Sequence, residues 1–137
     1  MADAGTGATV LIAEDDPDVC TALKTIFMRA GYRVLTAADG TAAIDLTHRW
    51  RPDILLLDVS MPGITGLDVC RIVRADRSLA QTAILMVSSW AFASDFEAGL
   101  AAGADGYLVK PFSNDEVLER AQALLDRRRQ PTPDAPA

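Results

Sequence analysis

The stretch ILLLDVSMPG, residues 54–63, contains an apolar run that ends abruptly in an aspartate. Four consecutive apolar residues are typical of a strand buried on both faces, and the nearby Pro62 and Gly63 predict a turn. Asp58 therefore ends a buried strand, a place where an unpaired carboxylate is costly. The rest of the chain must therefore explain why a carboxylate stands at the end of this strand.

Outward from this stretch, short apolar strands alternate with helical patterns along the whole chain. The predicted strands are residues 9–13, 32–37, 53–58, 83–88 and 106–110, and a helical pattern follows each of them. Right-handed crossovers place such helices on both faces of one parallel sheet. The sequence thus predicts an α/β fold, a doubly wound five-stranded parallel sheet flanked by five helices.

The predicted helices carry recognisable start and stop signals. Asp16 followed by Pro17 is typical of an N-cap and a first helical position, and Gly31 is suited to closing that helix. Ser113 and Glu116 have the spacing of a capping box, which predicts the start of the fifth helix.

Composition and charge limit the classes of function. The 137 residues suggest a single domain, with residues 1–8 a flexible N-terminal segment, 9–128 the domain and 129–137 a disordered tail. A net charge of −6 argues against direct nucleic-acid binding, and no apolar run is long enough for membrane insertion. Cys20 and Cys70 have no close-spaced partner, so two small buried thiols in a cytoplasmic protein are expected.

Polar side chains gather at the predicted carboxyl ends of four strands. Ligands of open parallel sheets bind beyond these ends. Converging carboxylates repel unless a cation neutralises them, and oxygen-only ligands favour a hard ion such as Mg²⁺. A metal and a lysine together suit a phosphoryl group, and an aspartate can be its nucleophile. The residues concerned are Glu14, Asp15, Asp58, Ser88 and Lys110.

Two weaker signals have simpler explanations. The segment GTGATV precedes the first strand, whereas a phosphate-binding loop must follow a strand. His48, the single histidine, is interpreted as a surface residue of the second helix and not as a catalytic base.

Four motifs, in this order and spacing, resemble the response-regulator receiver domain, the CheY-like superfamily of bacterial two-component signalling. They are VLIAEDDPDV, PDILLLDVSMPGITG, ILMVSS and GADGYLVKPF, and the resemblance covers about residues 9–128. It implies a flavodoxin-like (βα)5 fold. It also implies a phosphoacceptor that takes its phosphoryl group from a sensor histidine kinase or a histidine phosphotransfer protein.

The resemblance assigns a role to each residue that matches a motif. Asp58 corresponds to the phosphoacceptor, and Glu14 and Asp15 to the acidic pair that binds Mg²⁺ together with Asp58. Ser60 stands where the family supplies a backbone carbonyl to the metal. Lys110 corresponds to the lysine that pairs with the phosphate.

The resemblance also implies a conformational switch. Ser88 corresponds to the hydroxyl that turns toward the phosphate, and Tyr107 to the aromatic residue that then moves inward. This would change the face formed by the fourth helix, the fifth strand and the fifth helix, which would control a downstream protein or an output domain missing from this chain. The same face is a candidate homodimer interface. The bond between Lys110 and Pro111 is expected to be cis.

Departures from the family pattern and two alternatives complete the interpretation. Glu14 replaces the commoner aspartate, and the bulk of Trp90 over the site would slow loss of phosphate. Asp105 with Gly106 replaces a double aspartate of one DNA-binding subgroup, so that subgroup's dimer is not assigned. The alternatives are an unphosphorylated docking module and a small-molecule aspartyl-phosphate hydrolase, which would need an aspartate where Ser60 stands. The chain is expected to catalyse only its own phosphorylation and dephosphorylation, and otherwise not to be an enzyme.

Overall fold

The alternating pattern of the sequence becomes one parallel sheet with helices on both faces. The computed structural model describes residues 7–129. The elements in chain order are β1 (Thr9–Ala13), α1 (Pro17–Arg29), β2 (Arg33–Ala37), α2 (Gly40–Trp50), β3 (Ile54–Asp58), α3 (Gly66–Ala75), a 3-10 turn (Arg77–Leu79), β4 (Ala83–Ser88), α4 (Ala93–Ala102), β5 (Gly106–Val109) and α5 (Asn114–Arg129). The strand order is β2-β1-β3-β4-β5, which confirms the predicted architecture.

Two hydrophobic cores lie on opposite faces of the sheet, because successive strand residues point in opposite directions. In β3, Ile54 and Leu56 join the core that contains α1 and α5 residues. Leu55 and Leu57 join the core that contains residues of α2, α3 and α4. Burial on both faces is the reason that β3 and β4 are apolar nearly throughout.

The strand register brings the predicted site residues to one edge of the sheet. Ala13 pairs with Leu57, so the residues that follow them in the chain, Glu14 and Asp58, are placed side by side. Asp58 is in register with Val87. Ser88 is in register with Val109, and the amide of Lys110 donates to the carbonyl of Ser88 (2.8 Å).

The first and fifth helices begin at the predicted caps, and the fourth helix begins one residue earlier than predicted. The Asp16 carboxylate accepts from the backbone amides of Asp18 and Val19. Ser113 and Glu116 exchange side-chain to backbone hydrogen bonds of 2.9 and 3.1 Å, as a capping box does. The fourth helix begins at Ala93, one residue before the predicted Ser94.

Several predicted boundaries move by one or two residues. Ala8, assigned to the N-terminal segment, is 3% exposed and its carbonyl accepts from the Arg33 amide. Helix α5 includes Arg129, and β5 ends at Val109 just before Lys110. Residues 1–6 and 130–137, the rest of the two predicted terminal segments, lie outside the described residues. Within 7–129, every helix is too short or too polar to cross a bilayer.

Candidate phosphoacceptor and metal site

Asp58 is held at the end of β3 by one backbone and one side-chain donor. Its side chain is almost completely buried. Oδ1 accepts from the backbone amide of Ser60 (3.0 Å), and Oδ2 accepts from the Lys110 ammonium (3.2 Å). Both carboxylate oxygens therefore have a donor, and hydrogen bonds to a charged group are among the stronger ones. The strand fixes the backbone while these donors fix the side chain.

Three carboxylates meet beside Lys110. Oxygen atoms of Glu14, Asp15 and Asp58 all lie within 4.8 Å of one another. Glu14 and Asp58 are buried, whereas Asp15 is exposed. Burial, together with the neighbouring Asp58, raises the pKa of Glu14 to about 7, although hydrogen bonding from the Asp16 amide and the charge of Lys110 act in the opposite direction. The cluster is thus a site where negative charge is crowded and only partly compensated.

Lys110 bridges the two buried carboxylates. Its ammonium lies 3.2 Å from Glu14 Oε1 and 3.2 Å from Asp58 Oδ2. Burial alone would lower the pKa of Lys110, but the charges of Asp58 and Glu14 outweigh burial and raise it. The lysine therefore stays protonated and supplies a fixed positive charge. The peptide bond from Lys110 to Pro111 is cis, as expected.

The donor set of this cluster fits a hard divalent cation. It consists of carboxylate oxygens, with no histidine or cysteine among the three clustered residues. Mg²⁺ prefers oxygen ligands and few protein groups, and one partly exposed edge leaves room for its water ligands. Burial, and then the neighbouring Asp58, raise the pKa of Glu14, so the charged form of this carboxylate would be favoured by a further cation at the site.

Ser88 and Tyr107 are connected through the backbone of Trp90. Ser88 is 1% exposed, and its hydroxyl oxygen accepts from the Trp90 amide (3.0 Å). The Trp90 carbonyl accepts from the Tyr107 hydroxyl (2.9 Å). The Tyr107 ring packs edge-on against Phe96, with ring centroids 4.8 Å apart. A movement of the Ser88 side chain would therefore change one of the two hydrogen bonds that hold this peptide segment.

Trp90 also borders a cavity next to the acidic cluster. The cavity has a volume of about 420 Å³, and its lining includes Asp15, Ser60, Met61 and Trp90. The Trp90 side chain is 51% exposed, so it stands at the mouth of the site and does not fill it.

Glycine positions that support this site were not singled out by the sequence analysis. A Cβ on Gly66 would collide with the backbone carbonyl oxygen of Asp58, and the Gly66 amide donates to the Val59 carbonyl (2.9 Å). A Cβ on Gly40 would lie 2.7 Å from the Ile64 carbonyl oxygen. Both glycines let a helix start close against the segment that follows Asp58. Glycines at the first position of a helix were the signal available in the sequence.

The remaining sequence expectations have mixed outcomes. His48 is an exposed residue of α2, paired with Asp76 at 3.1 Å, which agrees with a surface histidine. Both cysteines are free, but only Cys70 is buried, so the expectation of two buried thiols is wrong for Cys20. Cys20 is partly exposed and borders a second cavity, of about 280 Å³, beside Glu14 and Lys24.

Comparison with known proteins finds a matching family model and related sequences. The family model for the response regulator receiver domain matches residues 10–122. The DNA-binding response regulator MtrA of Mycolicibacterium smegmatis is 36% identical over 118 residues, which are 86% of this chain and 50% of that protein. The response regulator MprA of Mycobacterium sp. strain KMS is 43% identical over 130 residues, covering 93% of this chain and 55% of MprA. The chain thus spans about half the length of these relatives.

Solved structures share the whole fold. A response regulator structure from Chloroflexus aurantiacus superposes with a TM-score of 0.83 at 36% identity, covering 89% of this chain and 100% of that one. The receiver domain of the sensor histidine kinase PA1611 from Pseudomonas aeruginosa PAO1 has a magnesium ion coordinated in its active-site cleft. It superposes with a TM-score of 0.81 at 31% identity, covering 88% of this chain and 99% of that one.

Proposed function

The chain belongs to the response regulator receiver domain family of two-component systems, and from this premise we propose that Asp58 is its phosphoacceptor. The phosphoryl donor would be a phosphohistidine of a sensor histidine kinase or of a histidine phosphotransfer protein. The observation that carries the proposal is the arrangement around Asp58: a buried carboxylate at a strand end, with Lys110 at 3.2 Å and the Glu14 and Asp15 carboxylates beside it.

Phosphoryl transfer to Asp58 requires the protein to position the carboxylate and to stabilise negative charge. An Asp58 oxygen forms the new P–O bond, the P–N bond of the phosphohistidine breaks, and the imidazole leaves after taking up a proton. Lys110 already lies beside the Asp58 carboxylate and can offer its positive charge to the phosphoryl oxygens. Asp58 is held between Ser60 and Lys110, so little side-chain freedom is lost when it reacts.

Glu14, Asp15, Asp58 and the backbone carbonyl of Ser60 are the groups that would hold Mg²⁺. The clustered carboxylate oxygens support this assignment, as does the magnesium-bound receiver domain among the structural neighbours. When bound, the ion supplies positive charge for the phosphoryl oxygens. Glu14 has a longer side chain than the aspartate that is commoner at this position in the family, and its carboxylate still lies within the cluster.

Ser88 and Tyr107 would report phosphorylation to the surface. A phosphoryl group adds negative charge and strong acceptor oxygens, to which the Ser88 hydroxyl can turn and donate. That rotation would break the bond between Ser88 and the Trp90 amide, and the Trp90 carbonyl is the group that now holds the Tyr107 hydroxyl. The outcome would be a changed face of α4, β5 and α5.

This face has apolar side chains suited to a protein partner. Phe92, Phe96 and Leu100 follow one another at helical spacing and are 78%, 37% and 60% exposed. Exposed apolar patches of this kind are typical of interaction sites. The occupant would be a downstream protein, an output domain or a second copy of the chain, and the mass of the phosphorylated protein in solution distinguishes a homodimer from the other two.

Incubation with Mg²⁺ and acetyl phosphate tests the central claim. The wild-type protein is expected to gain one phosphoryl group by mass, stable to acid and labile to base. The variant Asp58→Asn is expected to gain none, whereas Asp45→Asn, at an exposed position on α2, should behave as the wild type. A wild-type chain that stays unmodified would instead favour the docking module without phosphorylation.

A further inference from the structure

A glycine lies in the interior of α4, where the helix passes over Tyr107. Gly99 is buried, seven positions into a helix of 10 residues, and neither end of the helix requires a glycine there. Glycine is the least favourable residue for a helix interior apart from proline. A glycine at this place therefore calls for a packing reason.

The surroundings of Gly99 supply that reason. A Cβ added to Gly99 would lie 3.0 Å from Cδ2 and 3.4 Å from Cε2 of the Tyr107 ring, and 3.3 Å from the Met86 sulfur. Met86 is fully buried in the sheet, so it has little room to move. The Tyr107 ring is only half-buried and is the neighbour that could give way. Because Gly99 has no Cβ, the tyrosine ring can occupy the space next to its Cα.

We propose that Gly99 is a positioning residue for Tyr107: by lacking a side chain it lets the ring lie under α4 and carry its hydroxyl to the Trp90 carbonyl. Phe96, on the same helix, packs edge-on against the ring, so Gly99 and Phe96 together define the place that the ring occupies. An alanine at position 99 would push the ring outward and weaken the bond to Trp90. The inference rests on the proposed function only in that Tyr107 is taken as the residue that responds to phosphorylation.

The first test needs no phosphorylation. The carbon-13 shift of the Trp90 carbonyl is compared in the wild type, Gly99→Ala, Tyr107→Phe and the double variant. The Tyr107→Phe substitution removes the hydroxyl, so it gives the shift of a carbonyl that has lost this donor. Gly99→Ala is expected to move the shift most of the way toward the Tyr107→Phe value, with no further change in the double variant. Ala101→Gly, an exposed α4 position, controls for helix propensity and should leave the shift unchanged. A Gly99→Ala shift equal to that of the wild type would overturn the proposal.

A second measurement, of thermal stability, tests the proposal if the Gly99→Ala protein folds poorly. In the background of Tyr107→Ala the ring is gone, so Gly99→Ala should raise the thermal midpoint there, through better helix propensity, while lowering it beside an intact Tyr107. A loss of stability in both backgrounds would assign the contact to Met86 and contradict the proposal. Both measurements use unphosphorylated protein, and the acetyl phosphate experiment separately tests the proposed function.

Discussion

At the scale of single residues, Asp58 combines a charged side chain with an almost completely buried position at the end of β3. A buried carboxylate is tolerated only when donors or cations compensate it, and here Ser60 and Lys110 do so. Glu14 beside it shares the same lysine and has a raised pKa, to about 7. The site therefore concentrates charge at the place where we propose that a phosphoryl group and a cation bind.

Trp90 is expected to slow the loss of phosphate by restricting water at the mouth of the site. Trp90→Ala should raise the dephosphorylation rate several-fold, measured as decay of the phosphorylated mass after the phosphodonor is removed. Trp50→Ala is the matched control, since that tryptophan is similarly exposed, 58% against 51%, but lies at the end of α2. An unchanged decay rate in Trp90→Ala would reject the role.

The two thiols should differ in reactivity. Burial raises the pKa of Cys70 to about 11, and burial also raises the pKa of the more exposed Cys20. The thiolate is the reactive form, so at pH 8 Cys70 in the folded protein is expected to react much more slowly than Cys20 with a thiol reagent. Its rate should climb as the pH rises toward 11. The variants Cys20→Ser and Cys70→Ser isolate each rate, and equal rates at pH 8 in the folded state would contradict the expectation.

At the scale of elements, helix ends and loops decide how the strand ends are presented. Asp16 caps α1 directly after Glu14 and Asp15 by accepting from two amides of the first turn, and Thr65 caps α3 by accepting from the Asp68 amide. Gly66 lets α3 begin against the Asp58 backbone. Local signals in the sequence thus control the direction in which the chain leaves the site.

At the opposite edge of the sheet, Arg74 joins α3 to the end of α4 and the start of β5. Its guanidinium donates to the Gly103 carbonyl (2.8 Å), the Leu79 carbonyl (3.3 Å) and the Asp105 carboxylate (2.7 Å). Asp105 also accepts from the Ile84 amide (2.8 Å). This half-buried network connects α3 to the 3-10 turn, to the end of α4 and to the starts of β4 and β5.

Arg74→Met is therefore expected to lower the unfolding free energy by about 2 kcal/mol, because it removes hydrogen bonds from a charged donor that is largely shielded from water. Arg71→Met is the matched control on the same helix. Arg71 makes a single exposed pair with Asp68, so its loss should change stability by about 0.5 kcal/mol or less. Urea unfolding measures both, and similar losses in the two variants would show that the Arg74 network adds little.

At the scale of the whole molecule, the crowded carboxylates couple cation binding to folding. An ion that binds only the folded chain stabilises it by mass action, by about 2.7 kcal/mol at about a hundred times its dissociation constant. Mg²⁺ is expected to raise the thermal midpoint of the wild type, compared with potassium chloride at equal ionic strength. Asp15→Asn should reduce the effect strongly. A midpoint that does not respond to Mg²⁺ would count against the metal assignment.

Three features could be predicted from the amino-acid sequence: the succession of strands and helices, the burial of β3 and β4 on both faces, and the polar residues that gather at one edge of the sheet. These follow from local rules: apolar runs, caps, and the fact that parallel strands end at one edge of a sheet. Even the capping box at Ser113 could be read directly from four residues. Residues such as Asp58 and Lys110 were predicted to meet although 52 positions separate them along the chain.

Contacts that depend on how closely two elements approach could not be predicted from the sequence and are seen only in the folded chain. This group includes the sharing of Lys110 between two carboxylates, the Trp90 peptide that links Ser88 to Tyr107, and the exposure of Cys20. So does the fit of Gly99 against the Tyr107 ring, which depends on separations of about 3 Å. Hydrophobic periodicity fixes which face of an element is buried, but distances between elements emerge only when all side chains are packed together.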